Sequence, residues 1–155
     1  MNGLKESFAS KILRLILYIT FVAGIALIVT MPFMIDTYMR VLYDAYIIHE
    51  GYKLFITVFL MLVGVLGNFI IFELIIMLRT ILKNPFVKRN VKSLNRIGIM
   101  AFIIAALFFV KCFLYVTFLT LAFGILLIIL GLFAFTLASL FDKAVEFKEE
   151  NDLTI

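Results

Sequence analysis

The stretch that most limits what this chain can become runs from Ile97 to Phe141, where Lys111 is the only charged residue. As one straight helix it would measure roughly 65 Å, about twice the hydrocarbon thickness of a bilayer. It must fold back on itself, and the turn belongs near Leu114 to Thr120, which leaves almost no loop. Directly before it lies the opposite kind of sequence. Counted with Arg79, the segment Lys83 to Arg96 carries six of the fourteen Lys and Arg residues and no acid, and a further long apolar run precedes it. Hydrophobic residues make up 65% of the chain and mean hydropathy is +1.20, where soluble domains hold about half apolar residues. A span needs about 20 mostly apolar residues. Four blocks qualify, at about 12–35, 54–80, 97–115 and 119–141. The chain is therefore expected to be all-α, a single integral membrane four-helix bundle over residues 1–155, with residues 142–155 as an acidic tail.

Topology follows from the basic segment. Short loops rich in Lys and Arg stay in the cytoplasm, so the 83–96 loop is expected inside, and counting crossings from it puts both termini inside too. Lys5, Lys11 and Arg14 ahead of the first span agree. The apolar run from about Leu15 to Ile35 is longer than a cleavable signal, whose apolar region is about 7–15 residues, and it lacks a clear A-x-A site. The net charge of +4 is accounted for by residues that flank spans, so no direct nucleic-acid binding is expected. Cys112 is the only cysteine, and no Cys/His group has metal-ligand spacing. No disulfide, zinc site or cofactor is expected.

Residues 36–53 carry three acids against two basic residues, plus His49, and should face outward. Met39, Leu42, Tyr43 and Tyr46 recur at helical spacing, and Asp36/Arg40 and Arg40/Asp44 stand four apart. The expectation is a short amphipathic helix on the outer surface.

Asn68, Glu73 and Lys111 are the candidate functional polar residues inside the spans. Asn68, in a patch with Gly64 and Gly67, is placed to make an amide hydrogen bond across a close helix contact. Glu73 sits roughly 9 Å inward from Arg79; an acid at that depth is either a proton or cation site or a carboxylate paired with Arg79, Arg96 or an N-terminal basic residue. Lys111 lies near the far interface, where its ammonium is expected to snorkel outward. Gly98, Ala101 and Ala105 give the third span a close-packing face, and Gly124, Gly131 and Ala138 give the fourth a seven-residue repeat of small residues.

Asn84-Pro85 reads as a helix start, Asn being a favoured N-cap and Pro a favoured first helical residue. From there Val87, Val91 and Leu94 follow an apolar stripe while Lys88, Lys92 and Arg96 line another face. With Phe86, Arg89 and Asn90 these residues form a candidate surface for anionic lipid or for an acidic protein segment. The tail, ending Asp152-Leu153-Thr154-Ile155, places acidic charge in the same compartment.

The Asn84-Pro85-Phe86 loop followed by Asn90, Leu94 and Ile97, together with the terminal Glu150-Asn151-Asp152-Leu153-Thr154-Ile155, resembles the DUF2975 family of small bacterial four-span membrane proteins, catalogued as a domain of unknown function. The resemblance implies a multi-pass protein of the bacterial cytoplasmic membrane without assigned catalytic residues. It also implies a partner, because members are often encoded beside a small helix-turn-helix repressor of the Cro/C1 type. This chain is unlike the family in having almost no loop between its last two spans. The functional expectation is a non-enzymatic membrane partner of a cytoplasmic protein such as a helix-turn-helix regulator. A small transporter or channel subunit using Asn68, Glu73 and Lys111, which would need a homo-oligomer, and an immunity or envelope-stress protein are the competing readings. No Ser-based, metal or His/Asp/Glu motif points to an enzyme.

Overall fold

A computed structural model describes residues 8–43, 50–114 and 116–153 as four helices: α1 (Phe8–Tyr43), α2 (Glu50–Lys83), α3 (Lys88–Leu114) and α4 (Phe118–Leu153). All four are long and apolar enough to cross a membrane. The chain is an all-α, multi-pass membrane protein whose long helices are compatible with a helical bundle. Hydrocarbon cannot bond to a hydroxyl, so each lipid-region threonine must look to its own helix. Thr20, Thr30, Thr57, Thr80 and Thr136 donate to the carbonyls of Ile16, Ala26, Lys53, Ile76 and Leu132, four residues back, at 2.8–2.9 Å.

Two boundaries differ from the sequence expectation. α1 does not stop near residue 35: it runs through Pro32 to Tyr43, and Asp36 pairs with Lys53 of α2 at 2.6 Å. Nothing after Pro32 forces a break, so the helix passes from apolar to amphipathic sequence without ending. The expected separate outer helix is thus divided between the last turns of α1, residues 44–49, which lie outside the described residues, and the start of α2. At the basic loop, α3 begins at Lys88, three residues later than Asn84-Pro85 implied. The Asn84 amide still donates to Thr80 O at 2.8 Å, so Asn84 ends α2 instead of capping α3. The turn between α3 and α4 falls where expected; Thr117 Oγ1 accepts the amide of Thr120 at 3.2 Å and caps α4.

The helices pack in chain order. α1 lies on α2, α2 on α3 and α3 on α4, and no other helix pair comes close among the described residues. Helical geometry explains the open layout: Phe59, which faces α3, and Asn68, which faces α1, are nine residues apart and so on opposite sides of α2. α1 consequently buries only Ile35 among its described residues. A core of Ile35, Ile56 and Phe59, with Leu107 and Phe108 beside it, ties α1, α2 and α3 together at the end carrying the α3–α4 turn.

Among its described residues α4 buries Thr120, Gly124, Gly131, Ala134, Ala138 and Val145, and four of these, Gly124, Gly131, Ala138 and Val145, recur every seven residues. The seven-residue spacing keeps one side of a helix on its neighbour over many turns. Gly98 and Gly131 mark the closest approach: a Cβ on either would lie 3.2–3.3 Å from the other's carbonyl oxygen. Ala101 and Ala105 on α3 are buried as well.

Candidate functional site

At the end of the molecule carrying the α2–α3 loop, two segments far apart in sequence meet. α4 continues past its apolar part as a helix to Leu153, and Val145, only 2% exposed, carries its seam beyond the apolar stretch. One turn further, Lys148 Nζ donates to Asn84 Oδ1 at 3.2 Å, and Lys88 pairs with Glu149 at 3.2 Å. The ion pair is more than half exposed on both sides and contributes about 0–1 kcal/mol. Burial of Val145 is the firmer attachment. The loop itself is held from within, since Asn90 is fully buried and its Nδ2 donates to Pro85 O at 2.8 Å. That bond turns the Pro85 carbonyl inward and leaves Phe86 half-exposed beside Lys88. Arg89, Lys92 and Arg96 stand exposed on α3, and Glu146, Glu150 and Asp152 stand exposed on α4. Leu153 closes α4, and Thr154 and Ile155 lie outside the described residues.

Below this surface Glu73 is buried, 4% exposed, with both carboxylate oxygens engaged. Ser93, itself fully buried, donates to Oε2 at 2.7 Å, and Arg96 Nη1 donates to Oε1 at 2.8 Å. A charged acceptor with charge-assisted donors forms strong hydrogen bonds where water is scarce. The Arg96 side chain is half exposed, so it connects the buried carboxylate to the surface. Arg79, the other basic candidate for Glu73, instead donates to Tyr18 OH and lies 5.6 Å from that ring's centre, joining α1 to α2.

Lys111 corrects an expectation. Instead of snorkelling outward, it is 6% exposed and donates to Thr120 Oγ1 at 2.9 Å, with its Nζ 5.8 Å from the centre of the Phe59 ring. The tight α3–α4 turn supplies the reason, because it brings a hydroxyl within reach, and Thr117 and Thr120 share a further hydrogen bond of 2.6 Å. Glu73 and Phe59 are about 21 Å apart along α2, so Lys111 and Glu73 belong to opposite ends. Asn68 differs from expectation too. It faces α1, but its Oδ1 is buried and accepts no hydrogen bond; it lies against Gly24, where a Cβ would meet it at 2.7 Å.

Comparison with known protein families gives one result: the model of the family described as "Protein of unknown function (DUF2975)" matches residues 37–155. The chain belongs to this family. The DUF2975 match takes in all of α2, α3 and α4, and with them every contact of the loop, tail and Glu73 described above, while most of α1 lies before it. No curated protein and no solved structure matches the chain.

Sequence reasoning named Arg96 as one of three candidate partners of Glu73, with Arg79 and an N-terminal basic residue, and missed Ser93 on Glu73 and Tyr18 on Arg79. A signal for Ser93 exists in the register. An antiparallel hairpin turning at Pro85 sets Glu73, twelve residues before it, opposite the turn of α3 that holds Ser93 and Arg96.

Proposed function

We propose that this protein is a non-enzymatic anchor in the bacterial cytoplasmic membrane that binds a cytoplasmic protein on the surface shared by the α2–α3 loop and the end of α4. The observation that carries the reading is the meeting of loop and tail through Lys148–Asn84 and Lys88–Glu149, one turn beyond the buried Val145. Beside that junction, cationic Arg89, Lys92 and Arg96 and acidic Glu146, Glu150 and Asp152 are displayed together on rigid helices. The dense positive charge of the loop supports a cytoplasmic position for this end. Both charge signs on one pre-ordered surface favour a partner protein with its own mixed charges over a lipid headgroup, which would use the basic half alone. The family resemblance supplies the candidate, a small helix-turn-helix transcription regulator. Glu73 has a supporting role, since a transported proton or cation needs a free carboxylate and both oxygens of Glu73 are occupied by Ser93 and Arg96.

The test captures partners from cells with three forms at matched expression: the intact chain, a chain cut after Lys148, and the triple variant Lys88→Gln, Arg89→Gln, Lys92→Gln. A specific protein held by the first and lost from the other two is expected. Identical recovery with all three refutes docking at this surface. A cysteine at Lys88, in a Cys112→Ser chain, should label only after the cells are opened; labelling of intact cells would place the surface outside and end the proposal.

A further inference from the structure

Arg79 and Tyr18 join α1 to α2 at the end carrying the α2–α3 loop. Further into the membrane the same two helices border an apolar cavity of about 330 Å³, lined by Phe21 and Ile28 of α1 and by Val65, Asn68, Phe69 and Phe72 of α2. Val65, Phe69 and Phe72 are exposed, so the cavity opens to hydrocarbon. Residues seven apart share one side of a helix, and two such rows connect the cavity to the basic end. On α1 the row is Arg14, Phe21 and Ile28; on α2 it is Val65, Phe72 and Arg79. The helices run antiparallel, with the Phe21 and Phe72 rings 6.1 Å apart. Arg14 and Arg79 each lie seven residues, about 10 Å, from that contact in the same direction, so the two arginines stand at one level at the mouth of the cavity.

Lys11 and Lys83 stand one turn further out. α1 holds no acid before Asp36, and α2 holds none after Glu73, whose two oxygens are occupied by Ser93 and Arg96. Four cations therefore gather at this end of the pair with no acid of either helix beside them. The apolar runs of both helices stop here, which puts the arginines at the level of the lipid headgroups. Arg79 donates to the Tyr18 hydroxyl, and the phenolic O–H is left to donate in turn. Guanidinium groups and a hydroxyl donor suit phosphate oxygens.

A free anion would meet the cations and leave the cavity, whereas a neutral hydrocarbon would fill the cavity and leave the cations. A phospholipid presents a phosphodiester at headgroup level and an acyl chain directly inward of it, the order in which Arg14 and Arg79 precede Phe21 and Phe72. The excess of positive charge selects a lipid of net negative charge.

We infer that α1 and α2 bind one anionic phospholipid, its phosphodiester held by Arg14, Arg79 and the Tyr18 hydroxyl and one acyl chain seated in the cavity between Phe21 and Val65. The site uses neither the basic loop nor the α4 tail, and it is the same whichever face of the membrane this end occupies.

Native mass spectrometry of the full chain in detergent, titrated with phosphatidylglycerol or with phosphatidylcholine of the same acyl chains, counts the lipids each protein retains. One phosphatidylglycerol should be held at concentrations where phosphatidylcholine is not. Arg14→Gln and Arg79→Gln should each weaken that binding about fivefold, the effect of one basic residue beside an anionic headgroup. Val65→Trp, which fills the cavity from its exposed side, should weaken it too, while Lys143→Gln, an equal loss of charge at an exposed position on α4, should leave it unchanged. Arg79→Gln also cuts the link to Tyr18, so Arg14→Gln, which keeps that link, separates a lost lipid contact from a loosened helix pair. Equal retention of the two lipids overturns the inference, as does binding that is indifferent to both arginine variants or weakened as much by Lys143→Gln. Displacement of the lipid by inorganic phosphate, with no effect of Val65→Trp, would give the arginines to a free anion and also overturn it.

Discussion

At the α3–α4 crossing Gly98 and Gly131 lie backbone against backbone, whereas at the α1–α2 crossing Gly67 faces nothing and Gly24 faces the amide of Asn68. Both seams were built from the same kind of residue. What separates them is the cover: Phe102 and Phe135 stack at 5.8 Å over the first crossing, and each reaches the glycine of the opposite helix. Phe21 and Phe72 meet at 6.1 Å and tilted across the second, and with Val65 and Asn68 they line the cavity of about 330 Å³, which they do not fill. Small residues permit close approach without compelling it. Dispersion contacts from the neighbouring large side chains make the approach favourable, and these are complete only between α3 and α4.

The sharpest way to break this contrast is Gly131→Leu. Its Cβ alone would lie 2.9 Å from the Phe102 ring and 3.3 Å from Gly98 O, and backbone cannot step aside as a flexible side chain does. A loss of about 3 kcal/mol or more is expected, read as a collapse of the folded fraction in detergent-titrated unfolding.

Next in size comes Arg96→Gln, which removes a charged donor from the buried Glu73 carboxylate and should cost about 1–3 kcal/mol. Glu73→Gln should cost less, because Ser93 can still donate to the amide oxygen, and membrane insertion and protein level should remain normal. A complete loss of cellular phenotype from Glu73→Gln at normal protein level would contradict the anchoring role given to this residue and favour transport.

The smallest effect is expected from Gly67→Ala, which adds a methyl to open space and improves helix propensity, for a change of about 0–1 kcal/mol in the stabilising direction. If Gly67→Ala instead destabilised as much as Gly131→Ala in the same unfolding assay, the two seams would be equivalent and the contrast would fall.

Much of this fold was legible in the residues because lipid imposes length and apolarity on each span, and those can be counted. The four long apolar helices and the turn near Leu114 to Thr120 followed in this way, and the seven-residue spacing of small residues pointed to the seam of α4. Rotation about a helix axis cannot be counted so simply. Lys111 has an apolar neighbourhood on every side in sequence, and whether it turns outward or toward Thr120 depends on how closely the α3–α4 turn closes. Asn68 gives the same lesson, since only the opposite placement of Phe59 and Asn68 on α2 reveals that α1 stands apart. At the basic loop, Asn84-Pro85 satisfied the usual helix-start pattern, but the Asn84 amide was already committed to Thr80, and Asn90, five residues beyond Pro85, held the loop instead.

The extension of α4 has a mechanical consequence. From the Gly131 crossing to Glu149 the helix runs about 27 Å. A change of about 10° in its lean, half the mean inclination of a transmembrane helix, would carry its tip about 5 Å. Ala138 and Val145 are buried along that length, so the Lys88–Glu149 pair can part this way only if both leave their seats, and the fixed lean of α4 inside the bilayer holds the clasp at its edge.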